Sequence, residues 1–245
     1  MSAKTGEVLR VADVILRRIV SGAYPAGLRL PAENDLAAEL DVSRATLREA
    51  LRHLASLGVL VTRRGSGAYV LDYRREGTLA LLPAYASVAR FDRPLGTMIR
   101  ELLRMRRILA VEAVRLAALY GTADTIANVR RFIPILADCR DPLKLANAEL
   151  DMFRELTHAS EIWPAAWFAN AFWAPMREIH ERLAPMVGVI PTDYGATLER
   201  VFALIEAHDA EGAMAVLTEH FDEVDQALAT KIDEFLPTAA DREGV

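Results

Sequence analysis

Between Glu7 and Val20 the apolar residues Val8, Val11, Ala12, Ile15, Leu16 and Ile19 recur at the spacing of one helix face, and Ser21-Gly22 interrupts them, which predicts a first helix. Ala23 to Gly27 reads as a turn, and Pro31 suits the first position of a second helix with Leu36, Ala37 and Leu40 facing inward. Asp41-Val42-Ser43 makes a short corner. Ser43 is a good N-cap, because its hydroxyl accepts from an amide two or three residues on, and a third helix follows. In it Leu47, Ala50, Leu51 and Leu54 share one face, while Arg44, Arg48 and Arg52 stand four apart on another. After Gly58 the pattern becomes strand-like over Val59–Arg63 and Ala68–Leu71, on either side of Arg64-Gly65-Ser66-Gly67. That is a β-hairpin with a basic, glycine-containing tip. Three short helices and a hairpin predict a winged helix-turn-helix over residues 1–72.

Residues 73–77, rich in charge, read as a linker. Beyond them strand signals give way to helical periodicity over 78–91, 95–120, 122–138, 142–159, 163–187, 193–207 and 209–234. Breaks fall at Pro94, Gly121, Pro142, Pro164, Pro191 and the His208-Asp209 corner. Pro83, Pro134, Pro175 and Pro185 lie inside or at the ends of these segments and predict a kink or a hidden boundary at each. The fold class is therefore mainly α: the winged module, then an all-α antiparallel helical bundle over 78–236, with a frayed tail over 237–245.

Composition narrows the class. The chain has 245 residues, 52% hydrophobic and 26% charged, enough for two domains with cores of their own. No apolar run reaches the roughly 18 residues of a membrane span, and the N-terminus lacks the pattern of a secretory signal, so a cytoplasmic protein without a membrane partner is expected. The single cysteine, Cys139, reads as a small buried hydrophobe. The net charge is −5, yet residues 1–72 carry 10 Lys/Arg against 8 Asp/Glu and the remainder 19 against 26. Only the first part is suited to a polyanion. A DNA-packaging protein would need a basic surface throughout. An enzyme tethered to DNA is the other alternative, but no GxSxG, HExxH, Walker loop, dinucleotide fingerprint or cysteine-centred zinc spacing occurs, and no enzyme activity is expected.

In this architecture the third helix enters the major groove and the wing meets phosphates. Arg44 and Arg48 stand one turn apart, and a guanidinium fork fits guanine O6/N7 or a phosphate pair. Ser43 and Thr46 can donate to phosphate from their hydroxyls, and the amides of Arg64, Gly65 and Gly67 can do so at the wing. Alternatively, arginines every fourth residue form a solvated face, with Arg48 and Arg52 paired to Glu49 or other acids. The run from Ile19 to Glu33, then Leu36-Ala37, Val42 to Leu51, Leu57-Gly58 and Arg64 to Val70 resembles the DNA-binding signature of the GntR-type bacterial transcription regulators. The resemblance implies DNA contacts at Ser43, Arg44, Thr46, Arg48, Arg64 and Gly65. Asn34 stands where a DNA-contacting arginine is frequent in that family.

The second part resembles the helical FCD domain of the fatty-acid-responsive (FadR) branch, on Arg106, Leu116-Ala117-Ala118, the segment Glu149 to Ser160 and the late helices Ala196 to Phe221. The resemblance implies a ligand-responsive regulator that binds a pseudo-palindromic double-stranded DNA operator as a homodimer. Many FCD domains hold a divalent metal with an Asp, a His four residues on, and two further His. The corresponding positions here are Glu149, Phe153, Leu198 and His220, and two of the four have no donor atom, so no metal and no other cofactor is expected. The same four residues, with Arg106, form the expected effector site. Arg106 matches an arginine that meets an effector carboxylate in relatives, or else forms an ion pair with Glu149 or Glu101. One cation in an apolar setting predicts an organic anion with a large apolar part, and the resemblance to FadR-like relatives that bind acyl-CoA and lack the metal site implies first an acyl-CoA and second a short organic acid. The stripe Trp163, Trp167, Phe168, Phe172 and Trp173 reads as helix packing or a pocket wall, and His158 and His180 have no assigned role.

Overall fold

A computed structural model describes residues 3–88 and 94–235. These divide into two compact units, one on each side of the interval between them.

In the first unit, helix α1 (Ala3–Val20) buries Val11, Ala12, Ile15, Leu16 and Ile19, the stripe seen in the sequence. Helices α2 (Glu33–Glu39) and α3 (Arg44–Ser56) follow. Strands β1 (Leu60–Arg63) and β2 (Gly67–Val70) then pair antiparallel, with Leu60 opposite Val70 and Arg63 opposite Gly67. The inward residues predicted for α3, Leu47, Ala50, Leu51 and Leu54, are all buried. One local expectation is corrected. Helix α2 begins at Glu33 with Ala32 as its cap, so Pro31 precedes the helix instead of occupying its first turn. After the turn expected at Ala23 to Gly27, residues 28–30, to which no element was assigned, pair with the hairpin: the Leu30 amide donates to Ala68 and the Val70 amide to Leu28, each at 2.9 Å, giving it a third, short edge.

The linker expected at 73–77 is also corrected. Tyr73–Glu76 forms a short helix, α4, capped by Asp72, and Leu81–Val88 forms α5. Leu81 and Val88 are buried in the first unit's core, and the Tyr73 and Tyr85 rings lie 5.6 Å apart. The first unit therefore extends past residue 72, because the apolar face of α5 is needed to cover α1. Residues 89–91 of the predicted 78–91 helix, and the 237–245 tail, lie outside the described residues.

Every regular element among the second unit's described residues is a helix. Its long helices are α6 (Pro94–Tyr120), α9 (Pro142–Ala159), α10 (Trp163–Val187) and α12 (Ala210–Phe235). The shorter ones are α7 (Ala123–Arg130), α8 (Phe132–Asp138) and α11 (Tyr194–Glu206). Helix α6 packs on α9 and α12, α9 on α10, and α11 on α12, around a core that includes Val114, Met152, Leu156, Phe202, Leu217 and Phe221. The single segment predicted over 122–138 is two helices meeting at Arg131. Pro134 accounts for the boundary, since a residue without an amide hydrogen fits the first turn of α8. Pro142 opens α9 behind Asp141, whose carboxylate accepts from the amides of Leu143 and Lys144. Helix α10 runs through Pro175 and Pro185, each at the loss of one backbone hydrogen bond. Cys139, at the end of α8, is half-buried rather than enclosed.

Gly58 holds the exit from α3. Its φ is +75°, and a Cβ there would lie 2.1 Å from the Glu76 carbonyl oxygen of α4. Gly22 has a similar φ of +81° with open space around it. Gly58→Ala combines left-handed strain with a backbone clash and should cost about 3 kcal/mol, against about 1 kcal/mol for Gly22→Ala. Hydrogen exchange of the α3 amides in the full chain measures both; equal losses would contradict the role given to the α3–α4 contact.

Candidate functional site

The first candidate surface lies on α3 and the hairpin. Ser43 has extended backbone angles and its hydroxyl accepts from the Thr46 amide at 3.1 Å, so the helix begins at Arg44 and sets that side chain at its N-terminus. Arg44 is exposed and forms no ion pair among the described residues. Arg48 is exposed and bonded through Nε to Glu33 Oε2 of α2 at 2.6 Å, and Arg52 pairs with Glu49. Exposed pairs of this kind contribute about 0–1 kcal/mol, so either arginine can exchange its carboxylate for a phosphate or base. Thr46 departs from expectation. It is 4% exposed, and its hydroxyl and that of Ser43 lie 2.9 Å apart, so it positions the cap and is not itself presented to a phosphate.

At the wing, the Ser66 amide bonds back to the Arg63 carbonyl, and Gly65 and Gly67 take φ of +76° and +91°. Arg64, Gly65 and Gly67 are exposed. The third edge adds Arg29, exposed, whose guanidinium borders Gly67. Arg63 lies 4.8 Å over the Tyr69 ring. Arg29 was missed because only the 27–30 pairing brings it to the wing; its sole sequence signal was a charge between two inward leucines, Leu28 and Leu30.

The second candidate site lies within the helical unit. Arg106 of α6 is largely buried between two carboxylates: its Nη2 donates to Asp225 of α12 at 2.7 Å and its Nη1 lies 3.5 Å from Glu149 of α9. Its plane covers the Phe221 ring at 4.6 Å. Of the two alternatives, ion pair or free anchor, the structure forms the ion pair, with Asp225 in addition to Glu149 and without Glu101. Burial raises the Asp225 carboxyl above its ordinary range, and Arg106 only partly offsets this.

The four positions expected to replace the metal site are not one surface. Glu149 and Phe153 line a pocket, whereas Leu198 is enclosed in the core and His220 is buried away from the pocket walls. Tyr194, one helical turn before Leu198, fills the space: its hydroxyl donates to Glu149 Oε1 at 2.6 Å and its ring stacks on His220 at 4.5 Å. Burial keeps this phenol protonated, with Glu149 adding to the effect. Burial also lowers the His220 pKa, and its Nε2 has no partner. Glu149 is committed to Arg106 and Tyr194, Phe153 and Leu198 offer no donor, and among the described residues no group of three His, Cys, Asp or Glu side chains is placed to hold a metal ion. These residues do not fit a divalent metal.

Two pockets abut here. The larger, about 190 Å³, lies between α6, α9 and α10; the smaller, about 100 Å³, extends towards α12. His180, to which the sequence assigned no role, lines both, and its Nδ1 lies 3.1 Å from Asn147 Oδ1. Of the aromatic stripe, Phe168 and Phe172 line the larger pocket. Trp173 lies between Arg154 and Arg177 and donates to Asp151. Trp163 and Trp167 are 72% and 67% exposed, so neither reading of the stripe holds for them.

Residues 7–70 match the family "Bacterial regulatory proteins, gntR family", and residues 101–223 match the FCD domain. The chain is 28% identical to the Uxu operon transcriptional regulator of Escherichia coli over 89% of its own length and 85% of that protein's. It is 34% identical to the uncharacterized HTH-type transcriptional regulator Rv0494 of Mycobacterium tuberculosis over 62% of its length, spanning 60% of that relative. A solved structure of Lar, which controls expression of the Listeria monocytogenes agr system, superimposes with a TM-score of 0.56 at 16% identity, covering 94% of this chain and 98% of that one; this likeness concerns the fold alone.

Burial pushes the His180 imidazole down to about 4, with Glu149 opposing the shift and Arg106 and Arg177 adding to it. The unfolded chain takes up this proton near pH 6.5 and the folded chain only near pH 4. Stability should therefore fall as pH drops across that window, by up to about 3 kcal/mol from this group. His180→Gln should flatten the acid limb of a stability–pH profile; an unchanged limb would contradict the burial argument. By the same logic, Tyr194→Phe leaves Glu149 short of a donor and should cost about 1–2 kcal/mol, whereas His220→Phe keeps the stacking and should be neutral or stabilising in urea unfolding.

Proposed function

The chain belongs to the GntR family of bacterial regulatory proteins, with an FCD domain as its second part, and from that premise we propose that it binds a pseudo-palindromic operator as a homodimer whose DNA affinity is set by a small organic effector in the helical unit. The family makes it a DNA-binding transcription regulator; the operator symmetry, the dimer and the effector are the proposal. The observation that carries the DNA-binding assignment is the exposed Arg44, free of ion pairs among the described residues, at the capped N-terminus of α3. It has the placement and geometry for base readout, with Arg64 and Arg29 on the wing for phosphates.

The homodimer is supported by Trp163, Trp167 and Phe168, which leave a large apolar patch on α10 exposed. A two-fold dimer matches two half-sites and multiplies the modest affinity of one module. Among the described residues no helix is long and apolar enough to cross a membrane.

For the effector, the pocket walls are mostly apolar, which supports a largely apolar molecule. The expected anionic head, acyl-CoA or organic acid, required Arg106 as a free cation. With Glu149 and Asp225 already on it, the cluster carries one surplus negative charge, so Arg106 is no free anchor for an acid, and Arg154 is the other cation on the larger pocket's wall. The effector shifts DNA affinity only by binding one conformation better than another, typically by about 1–3 kcal/mol.

An operator selected from random duplex DNA tests the reading. Arg44→Ala should cost about 1–3 kcal/mol and relax discrimination at one base pair in each half-site. Arg64→Ala should weaken all sequences alike and reduce the salt slope by about one. Unchanged affinity in both variants would contradict the interface. In sedimentation the protein should run as a dimer and Trp163→Ser/Trp167→Ser should shift it towards monomer; a wild-type monomer both free and on DNA would refute the homodimer.

A further inference from the structure

The two pockets of the helical unit share five residues, Arg106, Ala146, Glu149, Met176 and His180. In the smaller pocket, Arg106, Glu149 and His180 are the only polar side chains on the wall among the described residues; the rest of that lining is apolar, with Leu102, Leu145, Ile179, Leu183, Val187 and Leu228. In the larger pocket Leu109, Phe153, Phe168 and Phe172 dominate. Of its remaining polar side chains, the Thr157 hydroxyl donates to the Phe153 carbonyl and Glu112 pairs with Arg115, while Arg154 lies 3.4 Å from Glu155 and over Trp173 with its own Nε–H left without a partner. The result is two apolar lobes with a polar waist. Of the shared residues, Ala146 is the smallest, and Met176, unbranched and with a flexible thioether, can move aside.

The chemistry of the waist is specific. His180 lies deep enough to stay neutral near pH 7, and its Nδ1 donates to Asn147 Oδ1, so its Nε2 remains an acceptor. Arg106 retains an Nε–H without a partner, although its charge is already met by Glu149 and Asp225. One acceptor and one spare donor, with no surplus positive charge, match a hydroxyl group, which both donates and accepts. A carboxylate would face Glu149 at that point. A charged end placed in the smaller lobe would be buried without a partner.

We propose that the helical unit binds an elongated, uncharged amphiphile whose two ends are apolar, one in each lobe, and whose single polar group, a hydroxyl, lies mid-molecule at the Arg106–Glu149–His180 waist. This deepens the effector reading and rests on it for the consequence at DNA, though binding itself is measured without DNA.

Four probes of one carbon count separate the possibilities: dipentyl carbinol, dipentyl ketone, undecane and undecanoate, titrated into the full-length protein by calorimetry. The carbinol should bind tightest, with the ketone weaker for want of a donor to His180. Undecane and undecanoate should each be about tenfold or more weaker than the carbinol. His180→Phe should erase the preference of carbinol over undecane while leaving undecane binding intact, and His180→Gln should retain part of it. Ala146→Leu, which fills the waist, should weaken all four, and thermal melts establish that each variant folds. Tighter binding of undecanoate than of the carbinol, with Arg154 as the alternative cation, would overturn the proposal. So would binding of none of the four, or an unchanged carbinol-to-undecane ratio in His180→Phe. Carbinol binding without any change in operator affinity would leave the ligand class standing and defeat the effector reading; operator release by undecanoate alone would do the reverse.

Discussion

A guanidinium buried between two carboxylates governs the helical unit. Arg106, Glu149 and Asp225 come from α6, α9 and α12, and their side chains are 17%, 12% and 23% exposed. Charges withdrawn from water to that degree persist only when paired, and losing one partner leaves another charge buried and unmet, at a cost of about 3–5 kcal/mol. The neighbouring features follow. Phe221 serves as the floor under Arg106, Tyr194 satisfies the free oxygen of Glu149, and His220, stacked on Tyr194, must stay neutral. Where a metal would draw four ligands together, an ion pair and an aromatic stack perform the joining, and the space left beside them is mostly apolar.

The DNA-binding surface obeys the opposite economy. There the ion pairs are exposed and readily exchanged, Arg44 has no ion pair among the described residues, and stiffness comes from the backbone: a serine cap, a left-handed Asp41 in the turn before α3, and glycines at the wing. A surface that must pair with a polyanion keeps its cations solvated until contact, while a core that must hold shape neutralises its cation internally. One chain uses arginine in both ways, and burial decides which.

Much of this was legible in the sequence and some was not, for identifiable reasons. Local periodicity carried the helices, the hairpin, the Ser43 cap and the inward face of α3, because each depends on residues within a turn or two of one another. The position of Arg106 and its pairing with Glu149 were also within reach. Asp225 and Tyr194 were not: they meet Arg106 and Glu149 only through the packing of α11 and α12, across 119 and 45 residues. His180 was unreadable for the same reason, its environment being made by α6 and α9. The edge at 28–30 is too short to alternate visibly, so Arg29 was assigned no role. The boundary at 72 was drawn on charge, whereas apolar residues at 81 and 88 return the chain to the first core. Trp163 and Trp167 show the limit of pattern reading, since an aromatic stripe looks alike whether it is buried or exposed.

The central claim is that Arg106 is held by its own chain's carboxylates. All three tryptophans, Trp163, Trp167 and Trp173, lie in the helical unit, so their fluorescence follows its unfolding. A double-mutant cycle in urea with Arg106→Met and Asp225→Leu measures the pairing. The account predicts that Arg106→Met alone is strongly destabilised and that adding Asp225→Leu recovers part of the loss, a coupling of about 1–3 kcal/mol. Losses that simply add, within about 0.5 kcal/mol, would contradict it.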